Sequence, residues 1–166
     1  MNGLATDGRD RAEKLAAFVK GIQNPAFEMI LCPPTTLLAQ IAWALKGYLD
    51  FVEASGHQPI ASELELIHPT WGYMGHPDRI GTLRSAEGPV LIDWKMTSAF
   101  ATIYVRHQLA GYRLLWNANH PDLPVSKCFG LWLKKDGAYR LIDVTDAEAE
   151  QAFLAAVCVY KAKRRK

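Results

Sequence analysis

The chain has 166 residues, with 49% apolar and 22% charged positions and a formal net charge of +2 at pH 7. That length suits one domain with a core of its own, and the composition excludes a disordered or fibrous chain. No apolar run reaches the roughly 18 residues that would cross a bilayer, so no membrane partner is expected.

The N-terminus, MNGLATDGRDRAEK, is polar and of mixed charge and is not expected to be a signal peptide. Cys32, Cys128 and Cys158 are scattered and odd in number, which rules out a disulfide framework and a CxxC metal site. A reducing cytoplasm is the expected setting. The net charge hides an asymmetry. The tail 161–166, KAKRRK, holds five of the 19 basic residues, leaving 14 against 17 acidic ones, so the remainder is about −3. Such a tail suits contact with phosphates, or it is simply a solvated terminus.

In chain order, Arg9 to Lys20 reads as a short amphipathic helix closed by Gly21. Breaks follow at Asn24-Pro25 and Cys32-Pro33-Pro34. Thr35 to Ala54 has helical periodicity with a wide apolar face that suits packing on a sheet, and Gly56 ends it. Ser62 to His68 alternates Glu63 and Glu65 against Leu64 and Leu66, as a strand would. Gly72 to Leu83 is a second strand region, and Pro89 to Met96 a third and buried one. Ser98 is placed to cap a helix that runs to about Trp116. Cys128–Lys134 and Tyr139–Val144 form a hairpin around Asp136-Gly137, and Thr145-Asp-Ala-Glu148 reads as a capping box opening a last helix to Tyr160. The order α-α-β-β-β-α-β-β-α predicts a single α/β domain, 1–166, with a central mixed sheet flanked by helices.

Chemistry concentrates between Glu63 and Tyr112. Asp93 and Lys95 stand two apart on a strand, so both face one way while Ile92 and Trp94 face the other. Asp78 precedes Asp93 by 15 residues, and Glu63 precedes Asp78 by another 15. Gln108 and Tyr112 are one helical turn apart and share a face. Each element has an ordinary structural explanation by itself: an ion pair, a turn aspartate, an exposed strand face, an amphipathic helix. Three acids that can converge on a divalent cation, with a lysine beside the last, suit phosphodiester cleavage.

This order of elements resembles the PD-(D/E)xK nuclease superfamily, in particular its RecB-like and phage-exonuclease branch. The likeness rests on Gly72-Tyr-Met-Gly-His-Pro-Asp78, Asp93-Trp-Lys95 and Gln108-Leu-Ala-Gly-Tyr112, and it covers roughly residues 60 to 117. His76 and Pro77 depart from the usual pattern, and the histidine that many relatives carry in an early helix has no counterpart before His57. The resemblance implies a restriction-endonuclease-like core and a metal-dependent deoxyribonuclease, first of all an exonuclease acting on DNA ends. An endonuclease or structure-specific nuclease is the second reading, a non-catalytic nucleic-acid-binding module the third, and an unrelated metabolic α/β enzyme the last. It further implies Mg²⁺ or Mn²⁺ held by Glu63, Asp78, Asp93 and the Trp94 carbonyl, with Glu65 a rival to Glu63. Lys95 would stabilise charge on the phosphate, and Gln108 and Tyr112 would orient the lysine, the water or a DNA phosphate. DNA is the implied substrate, a bacterial or phage source the implied setting, and a homo-oligomer or a recombination or helicase protein the implied partner. The four-cysteine iron–sulfur site of some relatives cannot be built from three scattered cysteines. No GxxxxGK[ST] motif is present, so any ATP-driven unwinding would come from a partner. Trp71, Trp116 and Trp132 are candidates for base stacking, with a core role as the ordinary explanation. His68 reads as a strand-end residue.

Overall fold

A computed structural model of the chain describes residues 37–164. The expected helix over Arg9–Lys20, the breaks near Pro25 and Pro33, and Cys32 lie outside the described residues. From Trp43 onward the chain forms a compact unit of its own.

The elements are α1 (Leu37–Ser55), β1 (Gln58–Ser62), β2 (Leu66–Ile67), β3 (Met74–Gly75), β4 (Arg79–Thr82) and β5 (Val90–Lys95), then α2 (Thr102–Asn119), β6 (Lys127–Leu133), β7 (Tyr139–Asp143) and α3 (Ala147–Arg164). Five strands form a sheet in the order β1-β4-β5-β6-β7, and β2 and β3 form a separate two-stranded ribbon. Among the described strands only β5 and β6 run parallel; the other neighbours in this sheet are antiparallel. A parallel pair requires a crossover, and α2 supplies it. This is the mixed-sheet α/β architecture expected from the element order.

The sheet is covered on both faces because β5 alternates between two cores. Val90 and Ile92 join Phe51 of α1 and Leu131 of β6 in one apolar cluster. Leu91 joins Val105, Leu109 and Leu115 of α2 in the other. Tyr48 of α1 meets the Trp94 ring edge-on at 5.0 Å. In turn, α3 packs on α2, where Arg113 reaches Glu150 at 2.6 Å and Arg106 reaches Asp146 at 3.0 Å.

Several local expectations are corrected. Ser62 to His68 is not one strand: β1 ends at Ser62, and Glu63 takes a left-handed backbone with φ of 48°. That turns the chain away from the sheet, so the Glu63/Glu65 alternation is not strand alternation. The segment 72–83 is divided into β3 and β4, because Pro77 between them has no N–H to give a ladder. Ser98 does not cap α2. The helix begins at Thr102 without a side-chain cap, and the Thr97 hydroxyl donates to the Ala99 carbonyl in the loop before it. The last helix is capped by Asp146, whose Oδ1 accepts the N–H groups of Glu148 and Ala149; the Thr145 hydroxyl instead accepts from the Cys128 N–H. Residues 161–164 of the basic tail are the last turn of α3, where positive charge complements the helix dipole.

Gly81 lies at the β1–β4 pairing with no room for a side chain. A Cβ there would run into the His57 ring and come within 2.6 Å of the Gln58 carbonyl oxygen. Backbone cannot yield as a side chain can. Gly81→Ala is therefore expected to destabilise the fold by about 3 kcal/mol, the upper part of the range for overpacking, read as a lowered Tm in thermal unfolding.

Candidate active site

Asp93 occupies the inner part of β5, where its side chain is 1% exposed. Its register partner on β6 is Gly130, and a Cβ on Gly130 would run into the Phe100 ring. The absence of a side chain at Gly130 thus makes room for the Phe100 ring on that side of the carboxylate. On the other side, antiparallel pairing matches Arg79 with Ile92, which brings Asp78 opposite Asp93. Asp78 is anchored through its Oδ2, which accepts the Trp94 N–H at 3.1 Å.

The Lys95 ammonium lies 2.6 Å from Asp93 Oδ2. Asp93 is thereby held in a buried ion pair through Oδ2, while its Oδ1 is buried without a hydrogen-bond partner. Burial pushes the Asp93 carboxyl up to about 6; Lys95 opposes the shift and the Asp78 charge adds to it. Two carboxylates thus face each other with one ammonium beside Asp93, an excess of negative charge in a place where water cannot fully solvate it.

Gln108 and Tyr112 complete this group from α2. Gln108 Oε1 accepts from Lys95 Nζ at 3.2 Å, and its Nε2 donates to the Tyr112 hydroxyl at 3.5 Å. The Tyr112 ring explains Gly75, where a Cβ would sit 2.6 Å from Tyr112 Cε1. The glycine of the first motif is therefore required by the tyrosine of the last. Tyr73 supports the same junction by donating its hydroxyl to the Gly111 carbonyl at 2.9 Å.

Glu63 stands apart from the other acids. Its N–H donates to the carbonyls of Pro77 and Asp78, which ties its backbone beside Asp78, but its side chain is exposed. Glu65 is also exposed and lies 3.7 Å from His76. No cluster of three or more metal-ligating side chains forms among the described residues. The structure thus brings together Asp78, Asp93, Lys95, Gln108 and Tyr112, and leaves Glu63 at the rim.

The remaining candidates separate clearly. His68 accepts the N–H groups of Thr70 and Trp71 on Nδ1 and holds the turn before β3. Trp116 is buried and donates to the Leu123 carbonyl, so it belongs to the core. Trp132 is different: it is half-buried and is the register partner of Lys95. Cys128 and Cys158 are free thiols, and burial pushes the Cys128 thiol up to about 12, which leaves it unreactive at neutral pH. No helix among the described residues is long and apolar enough to cross a membrane.

No protein-family model matches the chain, and no curated protein matches it. Among solved structures it is similar to an alkaline exonuclease, LHK-Exo, from Laribacter hongkongensis, with 17% identity and a TM-score of 0.41 over 99% of this chain and 87% of that one. The structure of LHK-Exo in complex with dAMP is similar at 18% identity and a TM-score of 0.39, with the same coverage.

Proposed function

We propose that the chain is a Mg²⁺- or Mn²⁺-dependent DNA nuclease of the PD-(D/E)xK type, acting first of all as an exonuclease on DNA ends. The observation that carries this reading is the buried Asp93 carboxylate, facing Asp78 and ion-paired through Oδ2 to a lysine that Gln108 holds in place, while its Oδ1 accepts no hydrogen bond. Buried polar atoms without partners are rare unless a function requires them. A site with two acids and one ammonium suits a hard divalent cation with oxygen ligands.

Asp78, Asp93 and the Trp94 carbonyl would hold the cation, and Glu63 would join them from the end of β1. When bound, the cation supplies Lewis-acid activation of water and neutralises charge on the phosphate. Lys95 presents its ammonium to a phosphate oxygen as charge develops in the transition state. Gln108 accepts one of the ammonium protons and Asp93 draws the ammonium from another side, which leaves it aimed for a phosphate, while the Tyr112 hydroxyl fixes which end of the Gln108 amide faces the lysine.

The test is degradation of end-labelled linear and closed circular DNA, single- and double-stranded, with Mg²⁺, Mn²⁺ or EDTA, alongside Lys95→Ala. Metal-dependent loss of linear but not circular DNA, absent from the variant, is the expected result. Cutting of circles would make the chain an endonuclease. DNA binding without cleavage of any substrate would overturn catalysis in favour of a binding module.

A further inference from the structure

Just beyond the candidate active site, a cleft of about 380 Å³ is lined by Thr97, Ser98, Trp132, Lys134, Lys135 and Asp136. We propose that this cleft holds one nucleotide of a single DNA strand next to the scissile phosphate, with the base against Trp132 and the phosphate at Lys134 and Lys135. The proposal rests on the nuclease reading and names the form of substrate that reading leaves open.

Register sets the location. Trp132 pairs with Lys95 across the parallel β5–β6 ladder, and Gly130 pairs with Asp93. Alternation along β6 puts Trp132 on the same face as Gly130, hence on the face that carries Asp93 and Lys95. Trp132, which lines the cleft, is therefore one strand spacing from the lysine, about 4.8 Å in the hydrogen-bonding direction. Its volume falls within the roughly 300–1,000 Å³ typical of small-ligand clefts, which suits one nucleotide and is too small for a base pair with its backbones.

Chemistry sets the occupant. The Trp132 indole N–H donates to the Thr97 carbonyl at 2.8 Å, which fixes the ring against the loop after β5. Phe100 flanks it with ring centroids 6.2 Å apart, and the Lys134 ammonium lies 5.5 Å from the ring centroid. A fixed, half-exposed aromatic beside a cation is the arrangement on which unpaired bases stack, and a paired base inside a duplex cannot reach it. Lys134 and Lys135 form no ion pair among the described residues. The lone acid of the cleft, Asp136, uses Oδ1 to accept the Ala138 N–H within the hairpin turn.

The test is equilibrium binding of a fluorescent oligo-dT and of a blunt duplex in EDTA, where no turnover occurs, across a salt series. Lys134→Ala/Lys135→Ala is expected to weaken oligo-dT binding about tenfold at low salt. It should also flatten the slope of log K against log salt by roughly 0.7, the value for one phosphate contact on a single strand. Trp132→Phe should weaken binding less and leave that slope unchanged, because stacking carries no charge. Unchanged oligo-dT affinity in the double variant, or a loss confined to the duplex, would overturn the proposal. The nuclease reading is tested separately by cleavage: its failure, with the oligo-dT pattern as expected, would leave the cleft standing as a binding site.

Discussion

Asp93→Asn is expected to abolish cleavage and, at the same time, to stabilise the metal-free protein. The native carboxylate is buried beside Asp78, and burial raises its pKa to about 6, above the ordinary aspartate value near 4. A raised carboxyl stabilises the fold only while it is protonated. That contribution is complete below pH ~4 and is lost as the pH rises through about 6, so the metal-free native chain is handicapped at pH 8. An asparagine of the same shape never ionises. The variant should therefore exceed the native chain by about 1–3 kcal/mol at pH 8 without metal, and by little at pH 4. Urea unfolding at the two pH values reads the difference. Added Mg²⁺ should raise the stability of the native chain at pH 8 and leave the variant unchanged, since binding to the folded state alone stabilises it. A variant that is less stable than the native chain at pH 8 would mean that Asp93 serves the fold and not a metal.

Loss of Lys95 should cost more in rate than loss of the residue that holds it. Lys95→Ala removes the ammonium proposed to face the phosphate and is expected to lower kcat by at least about 10²-fold, the scale for one charge-stabilising donor. It also leaves the Asp93 carboxylate buried without its cation, so its folding at pH 8 without metal should be weaker than that of the native chain. Gln108→Ala keeps the ammonium but releases one of its hydrogen bonds, at 3.2 Å. A fall of about tenfold in kcat is expected there, with KM for DNA unchanged, because the lysine is misaimed and the substrate still binds. Steady-state kinetics on the same linear substrate compares the two. Equal losses in kcat would make Gln108 a direct participant; a change in KM alone would make it a DNA contact.

The strands β5, β6 and β7 were legible in the chain because they carry their own signals. Pro89 to Met96 is a β-branched and apolar run, Asp136-Gly137 marks a hairpin, and alternation alone places Asp93 and Lys95 on one face. The helical spacing of Gln108 and Tyr112 likewise fixed a shared face that needs no tertiary information. β1 was missed: Gln58–Ser62 is a largely exposed edge strand, QPIAS, with no apolar alternation to announce it. The Ser62–His68 strand was misread because its alternation of acids and leucines is local, whereas the turn at Glu63 follows from where β1 must stop against β4.

By itself, the sequence determined which residues carry charge, which share a face and in what order the elements come. Tertiary structure alone decided which of those faces meet. The β4–β5 pairing sets Asp78 opposite Asp93, the α2 crossover brings Gln108 to Lys95, and the parallel register places Trp132 beside that lysine. Those encounters depend on strand order and register, which are set by burial on both faces of the sheet at once and not by any stretch of chain alone. The same physics left Glu63 exposed at the rim, although its spacing from Asp78 matches that of Asp78 from Asp93.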